Sequence, residues 1–130
     1  MGIDVSLISA FRLRMERRRL QYRALRKRHD LTVIQNRTAQ IGSDAILACL
    51  TVRNEKLRLP YFLDYYRGLG VAHFLFVDNG SDDGTVEFLA AQPDTSLWQT
   101  HAPYRSSKFG RDWLNWLKFR YAPGHWTLTL

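Results

Sequence analysis

Two continuous apolar runs, AILACLTV at 45–52 and VAHFLFV at 71–77, constrain this chain more than any other feature. Runs of that length without polar alternation suit strands buried on both faces, the situation inside a parallel sheet covered by helices. Helical spacing fills the segments between them. In LPYFLDYYRGLG, Leu59, Phe62, Leu63 and Tyr66 fall on one helical face, and Gly68 or Gly70 ends the helix. TVEFLAAQ is a short helix and SLWQTH a weaker third strand. FGRDWLNWLKFRY is a helix with Trp113, Trp116, Leu117 and Tyr121 on one stripe, a stripe read as core, and HWTLTL opens a fourth strand.

Strand, helix, strand, helix, strand, helix, strand predicts an α/β chain. Its expected form is a Rossmann-like parallel sheet of about four strands with helices on both faces. Ligands of such sheets bind beyond the carboxyl ends of the strands. Asn54 and Glu55 after the first strand, and the oxygen-rich DNGSDDGT after the second, fall on that edge.

The net charge of +7 is unevenly placed. Residues 1–43 hold ten Lys/Arg against three Asp/Glu, whereas residues 44–130 hold nine of each. From Val5 to about His29, Leu7, Ile8, Phe11, Met15, Tyr22 and Leu25 recur at helical spacings, with arginines on the other faces. QNRTAQIGSD then reads as linker. The chain therefore divides into a basic amphipathic helical arm with linker, 1–43, and a balanced domain, 44–130. Cys49 is the single cysteine and lies in an apolar run, which excludes an internal disulfide and suits a buried thiol in a reducing, cytoplasmic compartment.

Several chemistries fail on spacing. The first strand-to-helix turn, TVRNEKLRLP, has no glycine, so the dinucleotide fingerprint is absent, and no P-loop motif occurs. A calcium loop begun at Asn79 would need its closing glutamate at Ala90. The four histidines are scattered and Cys49 has no cysteine partner, so no zinc spacing exists, and His73 within an apolar strand reads as a core imidazole. Ser106 and Ser107 have no histidine at a diagnostic spacing.

The cluster at 78–83 remains. Asp82 and Asp83 suit the start of the helix near Thr85 as caps. Asp78 and Asn79, immediately after the strand, are expected to point into the crevice and meet N–H and O–H groups of a ligand. Uracil N3–H and ribose hydroxyls are such donors.

At these residues the chain resembles family 2 glycosyltransferases of the GT-A fold. ILACLTVRNEKLRLPYFLDYYRGLGV matches their opening strand and N-E pair. FLFVDNGSDDGTVEFL is close to D-D-G-S-x-D-G-T, with Asn79 for the second aspartate. RSSKFGRDWLNWLKFRYAPGHWTLTL is similar to the run before D-x-D. The resemblance implies the N-terminal half of a GT-A domain over roughly residues 45–130. It implies that Thr51, Arg53 and Glu55 line a nucleoside pocket, that Asp78 and Asn79 lie by uracil and ribose, and that Arg111 approaches base or phosphates. It also implies a UDP-sugar as donor and a divalent cation, Mn or Mg, held by D-x-D. That motif and the catalytic base do not follow HWTLTL here, so the chain is expected to be truncated before them. Family members transfer the sugar to an acceptor hydroxyl, usually with inversion, a base deprotonating the acceptor while the metal stabilises the diphosphate.

Two rival readings stand beside this. The arm, residues 5–28, is a candidate for peripheral contact with an anionic membrane, or else a solvated helix whose apolar stripe packs on the domain. Nucleic acid is less favoured there, because base-stacking aromatics do not interleave the arginines. The other rival is a degenerate, non-catalytic fragment without ligand, in which Trp126, Leu128 and Leu130 lack partners.

Overall fold

The computed structural model describes residues 5–130, so Asp4 and the rest of residues 1–4 of the arm lie outside the described residues. Helix α1 (Val5–Lys27) leads through a 3-10 turn into strand β1 (Thr32–Gln35). Strand β2 (Ile46–Val52), helix α2 (Leu59–Gly68), strand β3 (Val71–Asp78) and helix α3 (Thr85–Ala90) follow. Strand β4 (Thr95–Gln99), helix α4 (Arg111–Tyr121) and strand β5 (Thr127–Thr129) complete the order. The strands form one sheet in the order β1-β4-β3-β2-β5.

Strands β4, β3, β2 and β5 run parallel to one another, as the apolar runs predict. The expectation of about four strands is corrected by β1, which pairs antiparallel with β4 and makes a mixed sheet of five. This strand falls inside the arm and linker. Three of its four residues are exposed, so it carries no apolar run, and backbone pairing with β4 holds it instead. Arg37, just past β1, fastens the edge. Its backbone N–H donates to Ser96 Oγ at 2.9 Å, and its guanidinium donates to the carbonyls of Ala90 and Thr95 at 2.9 and 3.3 Å.

Helices cover both faces. Leu59 and Leu63 of α2 and Leu89 of α3 pack on Ala48, Leu50, Phe74, Phe76 and Leu97. Trp113, Leu114 and Leu117 of α4 pack on Leu47, Cys49, Leu75, Val77 and Trp98 of the other face. The chain moves one way across the sheet from β2 to β4, then returns past β2 to β5. Crossovers of one preferred hand put the returning helix on the opposite face. Burial pushes the Cys49 thiol up to about 12, against a smaller opposing effect of Lys118, so it is a packing residue at neutral pH. The last strand is thinly covered: Trp126 is 84% exposed, and Leu128 and Leu130 are also exposed.

At the amino ends of the parallel strands, Arg67 of α2 donates to both carboxylate oxygens of Asp94, each at 2.7 Å, and to Gln92 Oε1 at 3.0 Å. Paired N–H···O bonds of this kind hold position as well as charge. Burial alone would raise the Asp94 carboxyl, but the bonds to Arg67 and its charge outweigh that and hold it below the usual carboxylate range.

The arm docks on the domain. Arg23 donates through Nη2 and Nε to the Asp112 carboxylate at 3.0 and 3.4 Å, and Asp112 is fully buried. Asp30 accepts from Trp113 Nε1 at 3.1 Å, and the Arg28 guanidinium lies over the Trp116 ring at 5.6 Å. Ala24 is the buried residue of α1. Arg23→Ala leaves the Asp112 carboxylate buried without its donor, and the expected loss is about 2–4 kcal/mol in urea unfolding. Adding Asp112→Leu removes the stranded charge and should regain most of that loss.

His73 is a satisfied core imidazole, its Nε2 2.8 Å from Ser96 Oγ. Because that hydroxyl oxygen already accepts from Arg37, it is free to donate its proton to a neutral ring. Burial lowers the His73 pKa from 6.5; Asp94 pulls it upward and Arg37 lowers it further. The folded state then holds fewer protons than the unfolded state just below 6.5, so this contribution is complete above that pH and is lost as pH falls. Urea midpoints should drop from pH 7 to pH 5, and His73→Gln should flatten the drop.

Candidate functional site

Pairing of β2 with β3 brings Val52 level with Asp78, and Asn79 N–H donates to the Val52 carbonyl at 2.9 Å. The loops leaving the two strands therefore start side by side. The side chains of Ser81, Asp83 and Thr85 in DNGSDDGT join them. Ser81 Oγ accepts from Asn54 N–H at 2.8 Å, and Asn54 Oδ1 accepts from Asp82 N–H at 2.9 Å. Asp83 accepts from Lys56 N–H at 3.2 Å and from Thr85 N–H at 2.9 Å, and Thr85 Oγ1 accepts from Glu55 N–H at 3.1 Å. Asn54 makes this exchange at φ 53°, in the left-handed region that asparagine tolerates better than most side chains.

The expectations for the two capping aspartates divide. Asp83 receives the first amide of α3, and bonds from the Thr85 hydroxyl and nearby backbone amides hold its carboxyl below the usual range. Gly84, in the left-handed conformation, occupies the N-cap position itself. Asp82 is exposed and joins the network through its backbone amide.

Asp78 is a correction. Its side chain does not point into a crevice; it is fully buried beneath the loop. Its carboxylate accepts from the amides of Gly80 and Ser81 at 3.1 and 3.0 Å, from the Ser81 hydroxyl, and from Gln99 Nε2 at 3.2 Å. The carboxylate organises the turn, and its lone pairs are used within the chain.

Asn79 does reach a hollow. An open depression of about 290 Å³ at the carboxyl ends of β2 and β3 is lined by Thr51, Val52, Arg53, Glu55, Asn79 and Tyr104. Four residues named from the sequence, Thr51, Arg53, Glu55 and Asn79, thus converge. Asn79 Nδ2 donates to the carbonyls of Thr100 and Ala102 at 3.2 and 3.1 Å, which fixes the amide and leaves Oδ1 as an acceptor. Glu55 is half-exposed and only loosely paired, 3.9 Å from Arg58. Thr51 Oγ1 is buried with no hydrogen-bond partner among the described residues. It lies under Gly110, where φ is +79° and an added Cβ would come within 2.6 Å of that oxygen. Only glycine lets the start of α4 close over the end of β2 this way.

Arg111 is not among the residues that line this hollow. It lies beside a separate hollow, of about 220 Å³, with Lys108, Phe109 and Lys118. Tyr104, missed by sequence reasoning, stands in a 3-10 turn between β4 and α4, where no periodic signal marks it. Chemically the first hollow combines a guanidinium, a carboxylate, an amide oxygen and an aromatic ring. That set matches a ligand with a flat ring, hydroxyl or N–H donors, and negative charge.

Among the described residues, no group of three or more His, Cys, Asp or Glu side chains gathers to hold an ion. Among the same residues, no helix is long and apolar enough to cross a membrane.

If Asp78 organises the turn, Asp78→Ala strands two backbone amides and the Gln99 side chain at the sheet edge. Chemical denaturation should show about 2–4 kcal/mol lost. Comparison with known proteins leaves these geometric findings to stand alone: no protein-family model, curated protein or solved structure matches this chain.

Proposed function

We propose that the hollow at the ends of β2 and β3 binds the nucleoside diphosphate portion of a UDP-sugar. On this reading the chain supplies the donor-nucleotide half of a family 2-like glycosyltransferase. The observation that carries it is the convergence of Arg53, Glu55, Asn79 and Tyr104 around one open hollow, with the Asn79 amide fixed by two carbonyls. Support also comes from its place beyond the carboxyl ends of parallel strands, where α/β sheets bind ligands, and from the sequence resemblance over residues 45–130.

Each side chain has a distinct task. The fixed amide oxygen of Asn79 accepts from uracil N3–H. Glu55 accepts from a ribose hydroxyl, a charge-assisted bond stronger than a neutral one. Arg53 draws the phosphates, and Tyr104 offers a face or edge to the base. These groups bind and orient a donor; no chemical step is assigned to them, and none is routed through a metal.

Titration with UDP and with uridine, in the presence of a divalent cation, tests the proposal by calorimetry. Saturable binding is expected. Glu55→Ala should weaken both ligands about tenfold, because a charged hydrogen bond is lost. Arg53→Ala should weaken UDP by a similar factor and leave uridine nearly unchanged. Both side chains lie at an open edge, so thermal melts should match the parent protein. Unchanged UDP affinity in both variants, or no saturable binding by the parent, would overturn the proposal.

A further inference from the structure

Helix α1 turns two different faces to its surroundings. From residue 5 to residue 26, Ala10, Leu20, Arg23 and Ala24 are the residues with reduced exposure, and Arg23 and Ala24 hold the helix to the domain. At about 3.6 residues per turn, Leu7, Ile8, Phe11, Met15 and Tyr22 lie on the opposite side. They are exposed, with Leu7 at 67%, Phe11 at 63% and Tyr22 at 62%. The docked side of the helix thus faces the protein, and an apolar stripe faces away from it.

Charge identifies what covers that stripe. Helix α1 holds eight Lys/Arg and one acid, Glu16. Arg14, Arg18 and Arg19 flank or interrupt the stripe, and all three are exposed. We infer that the outward stripe of α1 lies on an anionic lipid surface, its apolar side chains at the acyl boundary and its arginines at the headgroups. Long arginine stems allow their heads to stay at that level while the chain beside them is buried.

A second copy of the chain fits less well. Spacings of three and four from Ile8 to Leu25 resemble a coiled-coil seam, but Arg18 sits in that seam, and Glu16 alone is too little acid to pair two such basic helices. A nucleic acid would use the arginines and leave Leu7, Ile8 and Met15 without a role. A lipid surface uses both sets.

The experiment is co-sedimentation of the full chain with phosphatidylcholine vesicles and with vesicles also containing phosphatidylglycerol. Binding is expected to the anionic vesicles only and to weaken with salt. Arg14→Gln and Arg18→Gln should each lower partitioning about fivefold. Leu7→Ser and Phe11→Ser should each lower it about tenfold, with unchanged thermal melts because these side chains are largely exposed. Equal binding to neutral vesicles, or no binding to either, overturns the inference. So does sensitivity to the arginine variants alone together with tight oligonucleotide binding, the mark of a polyanion site. A stable dimer in sedimentation equilibrium that the Phe11→Ser change dissociates would overturn it in favour of a second copy. None of these outcomes depends on whether the chain binds UDP.

Discussion

Burying a carboxylate costs several kcal/mol unless donors converge on it, and at the end of β3 they do. Two backbone amides, a hydroxyl and the Gln99 amide meet the Asp78 side chain. The turn after β3 takes its shape from that convergence, and the Ser81 hydroxyl extends it to Asn54 in the neighbouring loop. Asn79 is held at the hollow because the residue before it is anchored and its own amide is bound to two carbonyls. The geometry at the carboxyl ends of β2 and β3 thus rests on a side chain that is itself fully buried.

The arm repeats this logic at another place. Asp112 is buried at the start of α4 and receives its donors from Arg23 of α1, so the basic helix is joined to the domain by the neutralisation of one charge. Its remaining basic residues are largely left for other use. The positive excess of residues 1–43 therefore sits on a docked helix whose outer side chains are exposed among the described residues.

Some of this was legible in the sequence and some was not. Uninterrupted apolar runs marked β2 and β3 because both faces of those strands are buried, and Trp113 and Leu117 marked α4 because one face packs on the sheet. Strand β1 gave no such signal, since an exposed edge strand is held by backbone bonds that composition does not record. The aspartate cluster was misread in part: residue types show that oxygens are present, but not whether donors within the chain already occupy them. That distinction separates Asp78 from Asn79, adjacent in sequence and different in role. Tyr104 reaches the hollow through the path of a connection, which has no periodicity to read.

The ceiling over Thr51 is made by a missing atom. Where Gly110 crosses the end of β2 there is room for a hydrogen and nothing larger, and the backbone there already turns left-handed. Relatives of such a chain could reshape the hollow at its rim, by exchanging the Tyr104 ring for a broader or narrower one. The approach of α4 to β2 offers no comparable freedom, because any carbon added at position 110 would run into the Thr51 side chain on an already left-handed backbone.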